Sequence, residues 1–246
     1  MFKKLSAASL AATVSQAASG SFKYDLNGAD WDKVEALCGT GKEQSPINLY
    51  KWMTDQHPDQ RIEGFNYMNY GADAGLTINK TTDTMTMAFT DGRLNLTMPL
   101  KTSDTKPLSA TTSNFYPIQL HFHAPSEHTV NGMFYDLEMH IVHTYKDGSL
   151  GAVLGIFFDV EKGGWGLTEA TRKPDDWAEA SVGNKSNEFI ESLMFGEATE
   201  EGTALGEVAL GKFLSEVDMR KFWSYDGSLT TPPCTEGIKW HVVEEV

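Results

Sequence analysis

Residues 119–143 read QLHFHAPSEHTVNGMFYDLEMHIVH and contain five of the chain's seven histidines. In an extended segment successive side chains point to opposite faces, so Gln119, His121 and His123 share one face of QLHFH while Leu120 and Phe122 occupy the other. The Asn131-Gly132 pair is a strong turn signal, and YDLEMHIVH after it can pair antiparallel with the first strand. Its alternation sets Glu138, His140 and Val142 on one face and Met139, Ile141 and His143 on the other. His143 therefore cannot join His140. His121, His123 and His140 form a three-imidazole face, the ligand count of a catalytic zinc site that keeps a fourth position for water. Gln119 and Glu138 each stand two residues before one of these histidines, where they can take the remaining imidazole N–H and fix the tautomer. His128 and His143 are read as structural, hydrogen-bonded histidines; His57 and His241 carry no motif.

Further strands are expected at Leu76 to Asn79, Met85 to Phe89, Leu94 to Leu100, Ile118 to His123, Tyr135 to Tyr145, Gly151 to Val160 and Ile238 to Val243. Turns at Asp91-Gly92, Asn131-Gly132 and Asp147-Gly148 separate several of them. Helical patterning is limited to Lys185 to Phe195 and the neighbourhood of Leu210 to Val217; the rest of 161–211, rich in charge and glycine, reads as surface loop. The fold class is mainly β with short surface helices, a single domain around a large, mostly antiparallel, twisted central sheet. No repeat or Pro/Gly/Ser linker divides it.

Composition narrows the partners. With 34 acidic against 20 basic side chains, the formal charge is −14, and no basic run offers a track for a phosphate backbone, which argues against nucleic acid. No stretch approaches the roughly 18 apolar residues of a membrane span. The N-terminus MFKKLSAASLAATVSQAASG has two lysines, an Ala/Leu/Val stretch and small residues around Ser15 to Ala18, so residues 1–18 resemble a secretory signal and 19–246 the domain proper. Cys38 and Cys234 permit one disulfide or two buried thiols. Sequons begin at Asn79, Asn95 and Asn184.

The motifs QLHFH, PSEHTV (125–130), LEMHIVH (137–143) and SLTTPP (228–233) together resemble the α-class carbonic anhydrases. The similarity starts near Tyr24 and continues through EQSPINL (43–49) and AVLGIFF (152–158) to FWSYDGSLTTPPCTEGIKW (222–240). The wording after His123 is similar to bacterial, plant or algal members. This resemblance implies Zn2+ on His121, His123 and His140, Gln119 and Glu138 behind them, and reversible hydration of carbon dioxide to bicarbonate and a proton by a zinc-bound hydroxide, with side esterase activity. It implies that Thr230 is a gatekeeper hydroxyl and Glu127 its buried partner. An ionised Glu127 only accepts, so it takes the Thr230 hydrogen and leaves Thr230 to accept from the nucleophile. The resemblance also implies an apolar substrate pocket at Val142, Val153, Leu229, Thr231 and Trp240, a Cys38–Cys234 disulfide, and a secreted, periplasmic or otherwise extracytoplasmic location.

Two departures from the family pattern stand out. Asp83 falls where fast animal members carry a proton-shuttle histidine. The chain also stops at HVVEEV, where family members continue, so the C-terminal end reads as truncated. A catalytically silent storage, adhesion or mineral-matrix protein on the same fold is the alternative; it would be marked by loss of a histidine or of the Glu127 and Thr230 pair, and neither is lost. A zinc peptidase is disfavoured because H-E-x-x-H is absent. Oligomeric state is left open.

Overall fold

The computed structural model describes residues 22–26, 28–50, 115–159, 187–193, 208, 210–218 and 221–244, and, as backbone alone, 66–68, 76–80, 85–89, 95–99 and 112–114. The strands are β1 (Asn48–Leu49), β2 (Asn66–Met68), β3 (Leu76–Lys80), β4 (Met85–Phe89), β5 (Asn95–Pro99), β6 (Thr112–His123), β7 (Thr129–Val130), β8 (Leu137–Thr144), β9 (Leu150–Phe158), β10 (Phe222–Ser228) and β11 (Glu236–Val243). Nine of them form one sheet in the order β10-β11-β9-β8-β6-β4-β3, with β5 bridging β6 to β2, while β1 and β7 make a separate parallel pair. The large sheet is antiparallel except at β11–β9.

Two of the expected turns, Asn131-Gly132 and Asp147-Gly148, are made by the residues that signalled them, while Asp91-Gly92 lies outside the described residues. Asn131 and Gly132 both have positive φ, 50° and 81°, the conformation of a tight two-residue hairpin that asparagine and glycine tolerate best. At the β8–β9 turn Gly148 has φ 88°, and the Asp147 carboxylate accepts the Ser149 backbone N–H at 2.9 Å.

Each face of the sheet buries its own cluster. On one, Leu120, Met139, Ile141, Leu154 and Ile156 pack with Phe115 against Phe189, Leu193, Leu210 and Leu214 of the helical segments. Full burial of each such side chain stabilises the fold by about 1.5–3 kcal/mol. The helices here are α2 (Glu188–Ser192) and α3 (Leu210–Glu216), with α1 (Leu37–Thr40) near the N-terminus and a short 3₁₀ turn at Trp31–Lys33. Asn187 caps α2, its side-chain oxygen accepting from the N–H groups of Phe189 and Ile190. The opposite face holds Val142, Val153, Phe157, Trp223, Trp240 and Val242. All the site histidines lie on this second side, as the alternation requires.

His143, on the helix-covered face, is fully buried, and burial together with nearby His241 pushes its pKa down to about 3 from an ordinary value of 6.5. The sign of the linkage follows. Below about pH 6.5 the unfolded chain binds a proton that the folded chain refuses, so stability falls as pH drops from about 6.5 towards 3, by about 1.4 kcal/mol per unit. Urea unfolding of wild type and His143→Gln across this range should show the slope reduced in the variant; equal slopes would rule the effect out.

Cys38 and Cys234 form a disulfide across 196 residues, with Cα atoms 5.2 Å apart. Beside it the half-buried Glu236 carboxylate accepts backbone N–H bonds from Lys42 (2.5 Å) and Glu43 (2.8 Å) and a side-chain bond from Gln44 (3.0 Å). Together these fasten the N-terminal segment to the loop that precedes β11. A closure this long removes much denatured-chain entropy, so Cys38→Ser/Cys234→Ser should lose about 2–5 kcal/mol of unfolding free energy, measurable by denaturant titration. No loss would mean that the Glu236 contacts alone suffice.

Candidate metal centre

Strand register builds the site as rows across the sheet. One row runs His121, His140, Gly155, Val242 and Trp223 over β6, β8, β9, β11 and β10. The next, on the same face, runs Gln119, Val142, Val153, Trp240 and Tyr225. On the other side His123 lies opposite Glu138. The three imidazoles therefore meet where β6 and β8 pair, with ring centroids 4.9 Å (His121–His123), 5.2 Å (His121–His140) and 4.7 Å (His123–His140) apart.

Hydrogen bonds settle which nitrogen of each ring is left over. His121 Nδ1 donates to Gln119 Oε1 at 2.8 Å, leaving Nε2. His140 Nε2 donates to Glu138 Oε1 at 2.9 Å, leaving Nδ1. His123 Nδ1 lies 3.3 Å from Glu127 Oε1, and its buried Nε2 has no hydrogen-bond partner among the described residues. One ligand atom from each of the three rings lies within 4.8 Å of those of the other two. A buried nitrogen without a partner is costly unless something occupies the point it faces. His123 Nε2 and the remaining nitrogens of His121 and His140 put three donors at one point, which fits a zinc ion.

Charge agrees with this. Burial, with the neighbouring His140 and His123, holds the His121 pKa well below its usual value, and burial and His140 push that of His123 down to about 3. Both rings are neutral and offer lone pairs. Burial opposes charge on His140 too, but the field and hydrogen bond of Glu138 outweigh it and raise its pKa, which makes that ring the most basic donor of the three.

Glu138 is fully buried and accepts four hydrogen bonds. Oε1 receives His140 and, at 2.6 Å, His128 Nδ1; Oε2 receives the backbone N–H groups of Glu127 and His128, both at 2.9 Å. Burial alone would lift this carboxyl, but His128 and His140 override it and hold the pKa well below the usual carboxylate range. His128, Glu138 and His140 are a second group with metal-ligand spacing. Their facing atoms are already satisfied by hydrogen bonds to one another, and His128 Nε2 is taken by the Tyr225 hydroxyl oxygen at 2.7 Å. The open donors belong to the first group.

Burial pushes the Glu127 carboxyl up to about 7, against the opposing pull of His140 and of the nearby Thr230 hydroxyl. A dication beside His140 would favour the ionised carboxylate. Thr230 sits on a loop closed by Leu229 N–H to Thr235 O (3.0 Å) and Cys234 N–H to Thr231 O (2.8 Å). Val142, Val153 and Trp240 lie side by side in the row next to the histidines, and the Trp240 ring is 4.8 Å from His140.

A family model described as eukaryotic-type carbonic anhydrase matches residues 26–246. The chain belongs to that family, the α carbonic anhydrases. This carbonic anhydrase is 29% identical over 219 residues to alpha carbonic anhydrase 4 of Arabidopsis thaliana, covering 88% of the chain and 67% of the relative. It is 27% identical over 247 residues to the carbonic anhydrase of Pectobacterium atrosepticum, covering 96% and 82%. Among solved structures, the α-carbonic anhydrase of Thermovibrio ammonificans, in complex with the inhibitor sulfanilamide, is 27% identical with a TM-score of 0.58, over 92% of this chain and 84% of that one.

Of the residues singled out by sequence, Asp83 and His57 lie outside the described residues, as do residues 1–18. Residues 19–21 and 245–246, at the ends of the expected domain, lie outside them too. His128 is the buried, hydrogen-bonded histidine that was expected. What sequence reading missed is the chain of contacts behind it: Tyr225 OH bonds Ser45 Oγ at 2.8 Å, and Ser45 and Ser228 exchange bonds at 2.9 and 3.1 Å. The bonded partners lie 97, 180 and 183 positions apart, so only the fold joins them. The strand FWSYDGS that carries Tyr225 lacks a clean alternation, its burial being mixed.

Proposed function

We propose that this carbonic anhydrase catalyses the zinc-dependent, reversible hydration of carbon dioxide to bicarbonate and a proton. The observation that carries the reading is the convergence of three imidazoles, one buried and two half-buried, whose other nitrogens are, for His121 and His140, already hydrogen-bonded. Zinc(II) held by His121, His123 and His140 supplies a Lewis acid that makes hydroxide available near pH 7, the magnitude known for this enzyme class. Neutral imidazoles leave the charge of the cation undiminished, which thiolates or carboxylates in their place would not.

The remaining chemistry belongs to the side chains. Glu127 takes the Thr230 hydroxyl hydrogen, so Thr230 can only accept at its oxygen and holds the attacking oxygen with a lone pair aimed at the substrate carbon. Val142, Val153 and Trp240 give carbon dioxide an apolar wall that competes for no hydrogen bonds, with Leu229 and Thr231 at its edge. Charged bicarbonate gains little from that wall and is released. The same nucleophile can attack activated esters. The disulfide supports an extracytoplasmic location. A silent storage or matrix role is disfavoured because the three histidines, Glu127 and Thr230 are all present.

Stopped-flow hydration assays on protein as purified, after chelator treatment and after zinc re-addition test the proposal: activity should vanish and return. Activity indifferent to chelation and zinc would end it. The proton released in each turnover must also leave. At the position of Asp83 an aspartate, whose unperturbed pKa is near 3.9, is a poor acceptor at neutral pH. Turnover in dilute buffer should therefore rise as imidazole is added, and a flat response would show an efficient internal acceptor.

A further inference from the structure

Gly155 stands in the row between His140 and Val242. A Cβ built there meets Glu138 Oε1 at 3.2 Å and the two Val242 methyl carbons at 3.4 and 3.6 Å. The first contact is tighter than ordinary van der Waals packing, and the atom it presses is the oxygen that receives both His128 and His140. Glu138 cannot readily retreat: it is fully buried, and its second oxygen is fixed by the backbone N–H groups of Glu127 and His128. Val242, also fully buried, closes the other side.

We infer that Gly155 is a positioning residue for the metal centre: its bare Cα leaves the space in which one carboxylate oxygen can bridge His128 and His140. A methyl at this position would push Oε1 away from His140 Nε2, loosening the bond that fixes the ring's tautomer and aims Nδ1 at the common point. The effect on the cation is indirect. Partners of this kind alter metal affinity by about 10–100-fold when disturbed. The inference rests on the reading of His140 as a ligand, and its test separates the two.

The test compares wild type, Gly155→Ala and Gly155→Ala/Val242→Ala. Two readouts are used: zinc dissociation into excess chelator, and the imidazole N–H proton resonances of His128 and His140 in histidine-labelled, zinc-free protein. The single variant should release zinc about 10–100-fold faster, and its His140 N–H signal should shift or exchange faster. The double variant, in which the added methyl can move towards the vacated valine space, should recover most of both losses even though it removes core volume. A glycine required only for folding predicts the reverse, with the double variant worse than the single. Should the single variant fail to fold, the double carries the test, and zinc release and a His140 signal near those of wild type support the inference. Wild-type zinc release and an unmoved His140 signal in Gly155→Ala would overturn it, as would a double variant no better than the single. Wild type that binds no zinc, with the resonances still responding to Gly155→Ala, would instead refute the ligand reading and leave the role of Gly155 towards Glu138 standing.

Discussion

His140→Ala should bind no zinc at stoichiometric concentration and should hydrate carbon dioxide no faster than buffer alone. Two imidazoles remain in that variant, both on β6, and the point they face loses the donor that Glu138 makes most basic. The substitution also deprives the buried Glu138 carboxylate of one of its two imidazole partners, so the apoprotein itself should be less stable. His121→Ala separates these consequences. The partner of His121 is the neutral Gln119, so this variant should lose metal and activity with a smaller change in apoprotein stability. Metal analysis, stopped-flow assays and denaturant unfolding on both variants check the pair of outcomes, and retention of full zinc by either would remove that histidine from the ligand set.

Thr230→Val should keep its zinc and lose about 100-fold in kcat/KM, the scale expected when a nucleophile is held but wrongly oriented. Valine preserves the branched shape and deletes only the hydroxyl that acts on Glu127. Thr230→Ser should retain most of the rate because the hydroxyl survives. Glu127→Gln should fall about as far as Thr230→Val: its amide can donate to Thr230, which frees the hydroxyl hydrogen to point at the nucleophile and spoils the orientation. If Thr230→Val were as fast as wild type with full metal, the orienting role would be lost and the pair would be only a buried hydrogen bond.

Much of this centre is legible in the alternation of two short segments. QLHFH alternates polar and apolar residues throughout and LEMHIVH does so from Leu137 to Ile141, and the register His121 opposite His140 makes the two polar faces one surface. The apolar positions of the same strands, Leu120, Met139 and Ile141, pack as a group on the far side. Helices at Glu188–Ser192 and Leu210–Glu216 fall within the stretches whose patterning signalled them. The parts that were not legible depend on distance along the chain. Tyr225 reaches His128 across 97 residues, and Ser45 reaches Ser228 across 183. No local period encodes such contacts. The short parallel pair Asn48–Leu49 with Thr129–Val130 is too brief for any pattern. Gly155 carries no signal either, since the absence of a side chain acquires meaning only when Glu138 is seen beside it.

Anomalous diffraction at the zinc edge from crystals of the zinc-loaded protein tests the central claim most directly. The structure predicts one strong peak about 2.0–2.1 Å from His121 Nε2, His123 Nε2 and His140 Nδ1. A peak among His128, Glu138 and His140 instead, or none at the three-histidine point, would contradict it.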